Sequence, residues 1–120
     1  MSFIEFAKEV FDIESKAISG LSNLLDDNFT DSVECILGCK GRVIVCGMGK
    51  SGIIGKKIVA TFASTGTPSF FMHPGEAYHG DLGMVTHDDV FLALSNSGET
   101  EEVVKLIPFL KENQNTVISM

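Results

Sequence analysis

Two hexapeptides carry most of the chemistry that residue type and spacing reveal in this chain. Residues 47–52 read GMGKSG directly after the apolar run Val43-Ile44-Val45-Cys46. The G-x-G-x-x-G spacing is that of a strand-to-helix turn on which a pyrophosphate can rest. Residues 95–100 read SNSGET after a second apolar run, Val90–Leu94. Ser95, Asn96, Ser97 and Thr100 there gather hydroxyls, an amide and several backbone N–H groups where a helix is expected to begin. Unpaired donors and a favourable dipole at such a point suit an anion, and a phosphate monoester is the natural guest. An ordinary Ser/Thr-rich helix cap is the simpler use of these residues, but the loop holds more donors than one cap needs.

GMGKSG is open to two nucleotide readings, and context weakens both. A dinucleotide fold places an acidic residue about 20 positions beyond the loop, where it binds the ribose hydroxyls. Here the second strand runs into FMHPGE, so His73 and Pro74 occupy that place and Glu76 comes late. A Rossmann oxidoreductase is therefore disfavoured. A P-loop needs a glycine where this chain has Ile44. What remains for Gly49, Lys50 and Ser51 is to let the backbone approach a sugar, with Lys50 and Ser51 as polar reach.

Between the hexapeptides lies STGTPSFFMHPGEAYHGDLGM, crowded with glycine and ionisable residues and too irregular, beyond its one short strand, for a helix or strand of any length. A loop rich in titratable groups beside a binding crevice is a functional candidate. His79, between Tyr78 and Gly80, is the better histidine for chemistry. His73 precedes a proline that fixes the turn, and suits a packing role; His87 in THDD reads as a solvated turn residue. Glu102, just inside the helix after SNSGET, can be read as a general base or as one of several acids, with Glu99 and Glu101, that offset the helix dipole.

The elements that must position these residues follow from periodicity. Apolar residues recur every three or four positions from Ser2 to Leu25, as in a long amphipathic helix. Its apolar face is broad enough to cover a partner subunit. A short second helix is expected with Asp31 as its cap, Glu34 completing a capping box and Gly38 ending it. Beyond it the pattern changes to strands at Val43–Cys46, Ser69–Met72, Val90–Leu94 and Thr116–Met120, separated by helices at about 51–64 and about 100–112. Runs apolar on both faces, joined through helices, require a parallel sheet covered on two sides, so the fold class is α/β. Pro108 predicts a kink or an early end in the last helix.

The whole chain bounds the function. Its 120 residues read as one domain over 1–120, with 44% hydrophobic and 21% charged residues and no low-complexity linker. A net charge of −7 and a single arginine, Arg42, exclude the basic surface that a nucleic-acid partner needs. Cys35, Cys39 and Cys46 are odd in number and form no C-x-x-C pair, as expected of reduced thiols in a cytoplasmic protein without a zinc ribbon. No apolar stretch reaches the length of a membrane span, and the N-terminus lacks the basic head and apolar run of a signal peptide.

GMGKSG, STGTPSFFMHPGEAYHGDLGM and SNSGET, in this order and spacing, closely resemble the sugar isomerase (SIS) domain of bacterial arabinose-5-phosphate isomerases. The resemblance covers essentially the whole chain; the S-x-S-G-x-T loop is general to SIS domains, and the middle stretch is specific to this group. It implies a doubly wound α/β sandwich that assembles as a homo-oligomer with active sites near subunit interfaces. It implies interconversion of D-arabinose 5-phosphate and D-ribulose 5-phosphate through an enediol, supplying Kdo synthesis for lipopolysaccharide or capsule. Ser95, Asn96, Ser97 and Thr100 match its phosphate loop and Ser51 a sugar-contacting serine, while Lys50, His79 and Glu102 match active-site positions. No cofactor or metal is expected, and no membrane partner. Members of the group continue with more of the sheet, further active-site acids and histidines, and usually a pair of CBS regulatory domains, so this unit is expected to be truncated on its C-terminal side. The alternative is a non-catalytic SIS module that senses a sugar phosphate.

Overall fold

Short apolar runs flanked by glycine or polar turns can bury both faces only inside a sheet with helices on either side, and all four expected strands form. In the computed structural model, which describes residues 1–120, they are β1 (Val43–Gly47), β2 (Ser69–Met72), β3 (Val90–Leu94) and β4 (Thr116–Ser119). The chain divides into two compact units, Met1–Val33 and Glu34–Met120.

The first unit holds α1 (Phe3–Gly20), a 3₁₀ turn at Leu21–Leu24 and most of α2 (Asp27–Leu37). Ser2 caps α1: its Oγ accepts from the Glu5 N–H, and Glu5 Oε2 accepts from the Ser2 N–H at 2.6 Å. The Ser2 backbone N–H first, and the Ser2 hydroxyl second, hold the Glu5 carboxyl below its ordinary range. No residue of α1 is buried; Phe3, Phe11 and Ile18 are 93%, 69% and 70% exposed. The second helix starts earlier than the sequence suggests. The Asp26 carboxylate accepts from the Asn28 N–H at 3.0 Å, which begins α2 at Asp27 and leaves Asp31 inside the helix rather than at its cap. Gly38 follows its last residue, as expected.

In the second unit the strands are all parallel in the order β2-β1-β3-β4. Alternation along β1 and β3 divides the core. Ile44, Cys46, Phe91 and Ala93 pack with Met72, Val103, Leu106 and Leu110 on one face. Val43, Val45, Leu92 and Leu94 face Ile58, Val59 and Phe62 of α3 (Gly49–Thr65) on the other. This is the doubly wound arrangement. Full burial of each large apolar side chain contributes about 1.5–3 kcal/mol, which makes the buried β1–β3 pair the rigid base from which both hexapeptide loops leave.

Two local expectations are corrected. The segment after β2 is not wholly irregular: Pro74–Tyr78 form α4, capped by His73, whose Nδ1 accepts from the Gly75 N–H at 3.0 Å, and Asp81–Met84 form a 3₁₀ turn. The helix expected at about 100–112 is two pieces, α5 (Glu101–Val104) and α6 (Ile107–Glu112). Pro108 sits in the first turn of α6, where a missing N–H costs nothing, and the break falls just before it.

At the end of the sheet away from the hexapeptide loops, Asp89 is buried and accepts from the N–H groups of Arg42 and Thr86, each at 2.8 Å. Asn115 donates to the carbonyls of Asp89 and Thr86 at 2.9 and 2.7 Å. This network clips the entrances of β1, β3 and β4 together. No helix is long and apolar enough to cross a membrane.

Candidate sugar-phosphate site

The strand order reverses direction between β1 and β3: β1 leads outward to β2, and β3 leads the other way to β4. In open parallel sheets the crevice outside such a switch point is where ligands bind. Gly47 and Leu94 pair across it at the carboxyl edge, and the two hexapeptide loops begin there. A cleft of about 410 Å³ lies between them. Lys50, Ser51, Ser95 and Asn96 supply its polar lining, and Ile54, Leu94 and Met120 its apolar wall.

Glycine makes the first loop possible. A Cβ on Gly52 would stand 2.6 Å from the Gly47 carbonyl oxygen, and one on Gly55 would meet Phe71 and Val45 at 3.0 and 3.1 Å. The start of α3 therefore presses against β1 closely enough to bring Lys50 and Ser51 over the strand ends. Gly49 takes a left-handed φ of 55°, a conformation that favours glycine. No side chain caps α3, so the first-turn N–H groups of this 17-residue helix and its positive end face the same region as the Lys50 ammonium. Lys50 stands outside the ion pairs of the chain. Beneath the loop, burial pushes the Cys46 thiol up to about 12, which keeps it neutral.

The second loop is more self-contained than its sequence suggests. Ser95 Oγ and Thr100 Oγ1 are 2.7 Å apart, Ser95 Oγ accepts from the Gly98 N–H at 3.0 Å, and Ser97 Oγ accepts from the Glu99 N–H at 3.0 Å. The Ser95 N–H is bonded to the Met120 carbonyl. Several donors expected to be free are thus paired within the loop, and α5 behind it is a single turn with little dipole of its own. Gly98, at φ 71°, turns the chain.

Of the residues singled out in the sequence, the cleft brings together Lys50, Ser51, Ser95 and Asn96. Gly49 starts α3 beside them, and Thr100 is tied to Ser95. Ser97 and Glu102 are exposed nearby without lining the cleft; His79 caps the end of α4, exposed and also outside the lining. The wall residues Ile54, Leu94 and Met120 were missed in the sequence. Ile54 carried a usable signal, since it lies three residues after Ser51 and so on the same face of α3.

The chain is similar to known proteins over its whole length. Arabinose 5-phosphate isomerase KdsD of Escherichia coli (strain K12) is 59% identical over 109 residues, covering 91% of this chain and 33% of that protein. The protein of the same name from Pseudomonas aeruginosa is 55% identical over 120 residues, covering 100% of this chain and 37% of that protein. The chain thus spans about a third of the length of these relatives. An Escherichia coli CFT073 protein solved in complex with arabinose 5-phosphate superposes with a TM-score of 0.82 at 43% identity, covering 99% of this chain and 65% of that one. The SIS domain profile matches residues 36–120, nearly the whole of the unit that carries the sheet and its cleft, and this chain belongs to the SIS domain family.

Proposed function

We propose that this chain is the sugar-binding part of an aldose–ketose isomerase that interconverts D-arabinose 5-phosphate and D-ribulose 5-phosphate, the step that supplies Kdo synthesis for lipopolysaccharide or capsule. The observation that carries the reading is the convergence of Lys50 and Ser51 with Ser95 and Asn96 on one cleft at the β1–β3 switch point. The names of the relatives and the arabinose 5-phosphate complex of the structural neighbour support the substrate.

The reaction moves a proton between C1 and C2, which needs a base for the carbon acid, a group that stabilises the enediolate oxygen and a grip on the phosphate. In this scheme Ser95, Asn96, Ser97 and Thr100 hold the phosphate, exchanging the loop's internal hydrogen bonds for bonds to its oxygens. Gly49 and Ser51 contact the sugar. Lys50, reinforced by the positive end of α3, stabilises the enediolate; Glu102 is the base and His79 carries the hydroxyl proton. Self-association fits the exposed apolar side chains of α1, and a cytoplasmic setting fits the phosphorylated substrate and the unpaired cysteines.

One observation favours the second reading, a non-catalytic sugar-phosphate sensor: His79 and Glu102 lie outside the lining that Lys50 and Ser95 share. The two are separated by incubating the full-length protein with D-arabinose 5-phosphate in deuterium oxide. Ketose formation with deuterium incorporated beside the carbonyl is expected. Saturable binding with neither would assign the sensor role.

A further inference from the structure

The segment that carries His79 is held to the unit mainly from one side. Pro74 and Ala77 of α4 are buried, Ala77 in the cluster that also contains Val103 and Leu106. The outer end of α4 is exposed, and the chain turns away immediately after His79 through Gly80, at φ 147°. One lateral contact crosses that exposed end. Lys105 Nζ stands 5.6 Å from the centroid of the Tyr78 ring, within cation–π range. Lys105 is itself oriented by Glu101, whose Oε1 is 3.7 Å away, and it caps the helix turn that contains Glu102.

We infer that Tyr78 and Lys105 are positioning residues: their cation–π contact fixes the end of α4 that bears His79 against the turn of α5 that bears Glu102. The inference rests on the roles proposed above for His79 and Glu102. Tyr78 immediately precedes His79, and Lys105 follows Glu102 by three residues, so the contact spans the two groups assigned to proton transfer. Neither group lines the cleft with Lys50. Their reach toward a bound sugar therefore depends on how α4 and α5 are held to each other. The ring face and the cation are what matter; the tyrosine hydroxyl plays no part in the contact.

The test uses the full-length protein with four single variants and one double variant. Tyr78→Leu removes the ring and Lys105→Met the charge, whereas Tyr78→Phe and Lys105→Arg keep the interaction. An exposed cation–π contact implies a loss of about two- to fivefold. The Leu and Met variants should lower kcat by that factor with KM unchanged, the double variant should be no worse than either single one, and the Phe and Arg variants should match the parent. Amide hydrogen exchange across residues 75–84 should quicken in Lys105→Met by a similar factor. Unchanged exchange in that segment overturns the inference whatever the turnover, and so do additive losses in the double variant. A parent protein that does not isomerise arabinose 5-phosphate would defeat the proposed reaction instead, and the exchange measurement would still decide whether the contact holds α4.

Discussion

Ser95 Oγ lies 2.7 Å from Thr100 Oγ1, so the first and last residues of SNSGET close the loop upon itself. With Gly98 N–H also bonded to Ser95 Oγ, the loop has its curvature before any ligand arrives. In the proposed binding mode, a phosphate meets hydroxyls already gathered and replaces bonds within the loop. Ser97→Ala combined with Thr100→Ala should weaken sugar-phosphate binding by at least about 1.5 kcal/mol, more than tenfold, because hydrogen bonds to a charged group are worth about that much or more each. Isothermal calorimetry is the measurement; unchanged affinity would remove the loop from recognition.

Gly52 is expected to be intolerant of any side chain. Its Cβ would press on the backbone oxygen of Gly47, which has no flexible end to move aside. Gly52→Ala should cost about 1–3 kcal/mol in denaturant unfolding, in the range of core overpacking, and should lower ligand affinity by lifting Lys50 and Ser51 off the strand ends. Full stability in this variant would show that α3 can retreat from β1 without penalty.

For Glu102 the decisive variant is Glu102→Gln in the full-length protein. It removes the proposed base while leaving Ser95, Asn96 and Thr100 in place, so deuterium exchange at the carbon beside the carbonyl should fall by at least about a hundredfold, the usual contribution of a positioned base. Affinity for the sugar phosphate should be unchanged. Exchange at the parental rate would transfer the role to His79 or to another residue of the full-length protein.

Self-association through α1 is checked by sedimentation. Phe3→Glu with Phe11→Glu places charge on two largely exposed apolar positions. The parent should sediment as an oligomer and the variant as a smaller species with the same circular dichroism. A parent that remains a folded monomer at high concentration would exclude an interface there.

Cys46 provides a pH dependence with a definite sign. Its folded-state pKa is raised from 9.0 to about 12 by burial. The stabilisation from its neutral thiol is complete below pH 9, where both states are protonated, and declines as pH rises from about 9 toward about 12, where only the unfolded thiol ionises. The loss should approach about 1.4 kcal/mol per pH unit in that window. Cys46→Ala should remove this component of the decline when chemical unfolding is compared across it.

The parallel sheet was legible because a strand buried on both faces leaves an unmistakable run, as in Val43-Ile44-Val45-Cys46, and because GMGKSG and SNSGET mark the points where strand gives way to helix. Boundaries were harder where side chains cap locally. Asp26 and Asp31 both precede helix-compatible residues, and only the bond from Asn28 N–H to Asp26 decides between them. Nor could spacing reveal that the Gly98 and Glu99 N–H groups and one hydroxyl proton of the Ser95–Thr100 pair are taken up within their own loop. That pairing depends on Gly98 bending the chain back toward Ser95. The cleft wall stayed hidden for a different reason: Leu94 and Met120 sit at the ends of separate strands and become neighbours only when β4 aligns beside β3.

The polar clip formed by Arg42, Asp89 and Asn115 has a consequence for how the molecule divides its labour. The side-chain contacts that tie the strands together sit at their entrances, and the residues proposed to grip a ligand sit at their exits. The exit loops can then trade partners with an incoming anion without borrowing from the bonds that keep the strands in register. Substitutions within the SNSGET loop should then alter affinity with little effect on unfolding, whereas Gly52, wedged against Gly47 at the joint of strand and helix, ties the two quantities together.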